Sequence, residues 1–159
     1  MADVDSALAR LSLDVEKPAR MPLLHYQTLQ PLRDATGKEA WIDLYSSDSE
    51  IKRRHDRETQ RRRLNSNRGG RVRVTPEELE AEGTDLLVSL TAGWFLLDLD
   101  GFPIDLTFTP ENARRIYDGI RWIRDQVDEF CADRGNFTPA SLQISSNGQK
   151  PSLERPAKQ

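Results

Sequence analysis

The sequence is short of most of what catalysis and covalent bracing use. Its one cysteine, Cys131, excludes an intramolecular disulfide and a thiolate zinc cluster and fits a reducing compartment. Its two histidines, His25 and His55, have no carboxylate or cysteine at ligand-like spacing, so neither points to a metal or to acid–base work. Phosphate-loop, dinucleotide-fold and nucleophile-elbow patterns are missing as well, and no enzyme is expected. No apolar run approaches the roughly 18 residues of a membrane helix. The opening "MADVDSALARLSLDVEKPAR" has neither the basic start nor the unbroken apolar stretch of a signal peptide, so the expectation is a soluble, cytoplasmic protein.

What is present is charge. Charged residues make up 31% of the 159 positions against 36% apolar, so the core must come from a few strongly apolar segments. The length suits one domain. We expect a mobile arm over 1–22, a single domain over 23–138 and a disordered tail over 139–159, which is rich in Ser, Gln, Lys and Pro. The net charge of -3 exerts no general pull toward nucleic acid or membrane.

Within the arm, Leu8, Leu11 and Val15 can line a short amphipathic helix that Pro18 and Pro22 separate from the next segment. "LLHYQTLQPL" and "EAWIDLYS" are rich in β-formers and flank a turn containing Gly37, which predicts a β-hairpin. "SSDSEIKRRHDRETQRRRLNSNRGG" starts with capping residues, stops at Asn and Gly, and reads as a polar, basic helix. In "TPEELEAEGTDLLVSLTAGW", Thr75 is the N-cap, Pro76 the first helical residue and Glu78 the partner in a capping box; Leu79, Leu86, Leu87 and Leu90 mark one face. The DG pair of "FLLDLDGFPIDL" predicts a second, short hairpin, with Asp98, Asp100 and Asp105 serving turn chemistry or facing solvent. "TPENARRIYDGIRWIRDQVDEFCADRGNF" repeats the Thr-Pro-Glu start and sets Ala113, Ile116, Tyr117, Ile120, Ile123, Val127, Phe130 and Cys131 on one buried stripe, which Gly119 kinks or divides. Cys131 on that stripe is expected to be a structural thiol. The fold expected is α+β, mainly α-helical, with an N-terminal hairpin, three to four helices and a short second hairpin.

No residue stands out as catalytic, cofactor-binding or metal-binding. Trp41, Trp94, Phe95, Phe102 and Trp122 are candidates for partner binding, with Trp122 favoured because it sits beside Ile123, off the main stripe, and tryptophan is enriched at binding hot spots. Phe108 and Tyr117 read as core. Segment 52–73 contributes Arg53, Arg54, Arg57, Arg61, Arg62 and Arg63, a run able to follow phosphates. It has no interleaved aromatics for base stacking, and the next helix brings Glu77, Glu78, Glu80, Glu82 and Asp85. Charge pairing within the fold or between copies is therefore the preferred reading, and nucleic-acid binding the alternative.

The segments "GKEAWIDLYSSDSE", "RRRLNSNRGG", "TPEELEAEGTDLLVSLTAGW", "DLDGFPIDLTFTPENARRIY" and "RWIRDQVDEFCADRGNF" stand in an order that resembles tail assembly chaperones of long-tailed bacteriophages and prophages. The likeness runs from about Leu29 to Phe137, with "GW", "FTPENA", "WIRDQVD" and "DRGNF" its most specific parts. It implies a mainly helical, non-enzymatic protein of the host cytoplasm that binds the tail tape measure protein, keeps it soluble and helps recruit tail tube subunits. The resemblance supplies no cofactor and no catalytic residue. The arginine-dense helix and the hairpins are not demanded by that plan, which leaves a structural head-tail or tail component as a further alternative.

Overall fold

A computed structural model describes residues 3–66, 70 and 73–139. Its elements run α1 (Val4–Ala9), β1 (Ala19–Pro22), β2 (Trp41–Leu44), α2 (Glu50–Ser66), α3 (Pro76–Leu90), β3 (Thr91–Phe95), α4 (Pro110–Gly119) and α5 (Arg121–Ala132), followed by a 3-10 turn at Arg134–Phe137. This is the mainly helical α+β class that the pattern predicts. The tail, with Arg68 and Arg71 of the basic segment, lies outside the described residues.

The three strands form one antiparallel sheet in the order β1-β2-β3. Here the predicted first hairpin needs correcting: the sheet partner of β2 is Ala19–Pro22, in the stretch assigned to the arm, and not the segment after it. The physical reason is the run between them. Leu29 adopts φ 56, His25 N–H donates to the Gln30 carbonyl, and Leu24 bridges Pro31, so 24–31 folds back on itself. The turn around Gly37 does form, closed by Asp34 N–H to the Lys38 carbonyl and by an Arg33–Glu39 bridge. Leu23, Leu32 and Ala40 meet at the resulting corner through shared backbone bonds, and all three are buried.

Further upstream, α1 has no buried residue, and Leu8 and Leu11 are exposed. From Asp14 the chain is bonded into the fold, through Asp14 N–H to the Phe137 carbonyl and through Glu16, whose carboxylate accepts the N–H of Glu50 at the start of α2.

The helix starts follow their local chemistry. Thr75 and Glu78 form the reciprocal capping box at α3, and Thr109 caps α4 by accepting from Asn112 N–H. The apolar stripe after Thr109 is divided at Gly119 and Ile120 into α4 and α5. Six of its eight residues are buried; Ile120, at the break, is 37% exposed and Phe130 is half-buried. Leu79, expected on the inner face of α3, points to solvent, while Leu87 and Leu90 are buried. These helices pack with Ile42, Leu44 and Met21 of the sheet into one core.

A polar node ties the helices together. Thr84 of α3 donates to Asp118 of α4 at 2.9 Å and accepts from Arg124 of α5 at 2.8 Å, and Arg124 also donates to the Glu80 carbonyl. Breaking the stripe at Gly119 separates α4 from α5, and each then supplies one partner to the same buried threonine. Among the described residues, no helix is long and apolar enough to cross a membrane.

Candidate protein-binding surface

The DG reversal holds exposed apolar side chains on a hydrogen-bonded turn. Asp98 organises it: its Oδ1 accepts N–H bonds from Asp100 and Phe102, both at 2.9 Å, its carbonyl accepts from Gly101 N–H, and its own N–H donates to the Phe102 carbonyl. Ile104 N–H donates to the Leu96 carbonyl, and Leu97 bridges Pro103, so both arms are anchored in buried Leu96 and Leu97. Gly101 has φ +85 and lies so close to the Arg33 carbonyl that a Cβ would stand 2.5 Å from it. The reversal is thereby pressed against the Arg33–Asp34 backbone. Glycine is required there twice over, by its dihedral and by the contact.

From this fixed base three large apolar side chains face water: Leu99 at 46%, Phe102 at 67% and Ile104 at 44% exposure. A second strand such as β3 would have hidden alternate residues against the core. Here only an isolated bridge forms, and the residues on either side of the DG pair turn outward. Such an exposed apolar group on a rigid turn is what a binding surface needs, since little ordering remains to be done on association.

The other aromatic candidates are dispersed. Trp41 and Phe95 face each other across β2 and β3 on the sheet side opposite Ile42. Each ring carries a cation: Arg20 lies 3.7 Å from the centre of Trp41 and Lys38 lies 4.0 Å from that of Phe95. Arg20 is also paired with Asp43 through two hydrogen bonds, which raise its pKa. Trp94, opposite Ile42, is turned inward; its indole N–H donates to the Leu106 carbonyl at 2.7 Å and its ring meets Phe108 edge-on. Trp122 is half-buried with its ring centre 6.0 Å from that of Tyr26, an exposed residue of the 24–31 excursion. The structure thus brings Trp41 and Phe95 together and leaves Trp94, Phe102 and Trp122 at three other places.

Sequence reasoning names Phe102 but passes over Leu99, Ile104 and Tyr26. The available signal was the placement of aliphatics immediately beside a tight turn, where side chains have little core to reach.

The basic helix packs on α3, but among the described residues only Arg63 is paired there, with Glu82. The remaining charge is disposed along α2 itself or left to solvent: Lys52 pairs with Asp56, Arg53 and Arg57 with Glu50, and Arg54, Arg61 and Arg62 are exposed without an ion pair among the described residues. The acids of α3 are instead met mainly from the C-terminal helices, Asp85 by Arg114 and Glu80 by Arg121 and Arg124. Ile51 packs against the core, but further along the inward side of α2 is polar: His55 has no hydrogen-bond partner for either ring nitrogen among the described residues, and neither has the Thr59 hydroxyl.

The titratable groups with clear shifts serve the fold. Burial pushes the Cys131 thiol up to about 12 and raises the Tyr117 phenol, which is hydrogen-bonded to Thr91. Among the described residues, no group of three or more His, Cys, Asp or Glu is placed to hold a metal ion; Asp98 is consumed by its turn. Set against family models, curated proteins and solved structures, the chain matches none of them.

Proposed function

We propose that this protein is a non-enzymatic holder of an apolar, helical client, acting as a tail assembly chaperone of the kind its sequence resembles. On this reading the client is the tape measure protein of a long-tailed phage or prophage, held soluble in the host cytoplasm while tail tube subunits are recruited. The observation that carries the reading is the reversal over 98–104, which holds Leu99, Phe102 and Ile104 in water on a turn braced by Asp98 and by the Gly101 contact. A long amphipathic helix would cover these side chains by its own apolar stripe, a common mode of helix recognition.

The test is co-expression with the tape measure protein, followed by size-exclusion chromatography of the soluble fraction. Co-elution of both chains is expected, with Phe102→Ala, which removes an exposed ring, lowering the amount of client retained. A client that stays insoluble beside a folded partner overturns the proposal.

A second reading rests on Arg54, Arg61 and Arg62 of α2, exposed and without an ion pair among the described residues. It predicts binding to nucleic acid that weakens steeply with salt and is lost on changing Arg61 and Arg62 to Ala.

A further inference from the structure

A cleft of about 360 Å3 separates β1 from α5, lined by apolar surface from Met21, Pro22, Leu24 and Phe130 and by the carboxylates of Glu129 and Asp133. The α5 wall is a single stripe, Trp122, Gln126 and Phe130 at steps of four, with Asp133 just past the end of the helix. Beyond Gln126 the stripe reaches Trp122, with Tyr26 against it.

Two features decide how an occupant can bind. Pro22 has no N–H to offer, and the N–H and C=O of Leu24 are both taken by the side-chain amide of Gln126, at 3.0 and 2.8 Å. The strand edge is therefore closed to a further strand along this stretch, and an occupant must bind by side chains, as a helix does. The charge on the rim is one-sided. Glu129 and Asp133 are exposed and form no ion pair among the described residues; the Asp133 carboxylate accepts only the N–H of Gly135, and the nearby Arg134 is committed to Asp48.

We infer that this cleft receives an α-helical segment whose apolar stripe is bordered by lysine or arginine. The inference rests on the reading of the client as an apolar helix and adds the sign of its flanking charge. The apolar side chains of the segment enter over Met21, Leu24 and Phe130, and its cations meet Glu129 and Asp133. Gln126, by clamping Leu24, keeps the 24–31 excursion fixed against α5 and so sets the width of the cleft.

The probes are two fluorescent peptides of about 18 residues, long enough to become helical on binding, with the same leucine stripe and either Lys or Glu at every flanking position. Fluorescence anisotropy with the full chain is expected to show the Lys peptide bound about five- to tenfold more tightly than the Glu peptide, the scale of two exposed ion pairs. Glu129→Lys, at an exposed position, is expected to keep the fold by circular dichroism and to abolish that preference, while Glu77→Lys, the same charge change at an exposed position on α3, leaves it intact. Equal binding of the two peptides, no binding of either, or a preference that survives Glu129→Lys overturns the inference. Loss of the preference in Glu77→Lys as well overturns it too, by making the preference a response to overall charge and not to the cleft. Failure of client solubilisation in co-expression is a separate result that strikes the chaperone reading, whatever the peptides do.

Discussion

Gly37 and Gly101 offer a controlled comparison, because they share a backbone conformation and differ in surroundings. Their φ angles are +87 and +85, and each donates its N–H to an aspartate carbonyl three residues earlier, from Asp34 and Asp98. A Cβ on Gly37 meets nothing within 4 Å, whereas one on Gly101 stands 2.5 Å from the Arg33 carbonyl oxygen. Alanine in the left-handed region costs about 1–2 kcal/mol, and the smaller conformational freedom of the unfolded alanine chain returns about 0.4–1 kcal/mol. Gly37→Ala is therefore expected to lose about 1 kcal/mol. Gly101→Ala carries the same loss plus about 1–3 kcal/mol for forcing two backbones apart, giving about 2–4 kcal/mol. Urea titration of both variants by circular dichroism gives the two values with a common slope. Below the midpoint of both variants, Gly101→Ala is also expected to retain less client than Gly37→Ala, since only the former shifts the base that carries Phe102. Equal losses of stability would refute the claim that the reversal is seated on the Arg33 carbonyl.

The hydroxyl of Thr91 donates to the Leu87 carbonyl at 2.7 Å, so the 2.6 Å contact with Tyr117 must have the phenol as donor. Tyr117→Phe is then expected to cost about 0.5–1.5 kcal/mol and Thr91→Val, which strands a buried phenol, about 1–3 kcal/mol; urea denaturation giving the reverse order refutes the assignment. The Cys131 thiol, buried and pushed up to about 12, is expected to resist an aromatic disulfide reagent at pH 8 until the protein unfolds, and rapid labelling of the native state counts against its placement. Asp48 is held low by its hydrogen bond from Arg134, Asp34 by Thr36 and Glu50 by Arg57. Lowered folded values mean stability that is fully present above the ordinary carboxylate range and is lost as pH falls through them. The melting temperature is thus expected to fall below about pH 4 and to fall less there in Arg134→Ala. Hydrogen exchange is expected to be faster along α2 than along α3 and α5, because every buried polar side-chain atom without a partner among the described residues belongs to α2 or to Ser49 just before it. Uniform protection across those helices refutes it.

Features written in local chemistry were legible in the sequence. Thr75, Pro76 and Glu78 announce α3, Thr109 and Pro110 announce α4, Gly119 marks the division of the last stripe, and Asp100-Gly101 marks the reversal. Features that depend on which surfaces meet were not. The β-rich stretch 23–32 is expected to pair with β2, and its composition does not show that it turns back at Leu29 and Pro31, leaving Ala19–Pro22, which carries no β-rich signal, to take the place beside β2. Leu79 and Ile120 have the spacing of buried residues, but one lies in the exposed first half of α3 and the other at a helix break. Phe102 was found by its residue type, while Leu99 and Ile104 depend on how far strand pairing continues past Leu97. The Gln126 clamp was hidden because a glutamine within an amphipathic helix looks like any solvated residue until its backbone partner 102 positions away is known.

The placement of the aromatics favours the reversal and the cleft over the open sheet face as places for a partner. Trp94, Phe108 and Phe137 contribute to the packed interior or its margin, with Trp94 giving its only side-chain donor to Leu106. Trp41 and Phe95 are half-buried, and Arg20 and Lys38 already lie over their rings, so an incoming group would have to displace a cation from each. Phe102 has no such occupant among the described residues and its backbone is held at both N–H and C=O, so a partner gains its apolar surface without first ordering the turn. The cleft beside α5 is fixed in a comparable way by Gln126, and it adds carboxylates that lack an ion-pair partner among the described residues. A client helix that used both places would be selected by its apolar stripe at the reversal and by its flanking charge at the cleft. The acids Glu129 and Asp133 are then the part of the surface able to discriminate between two equally apolar helices.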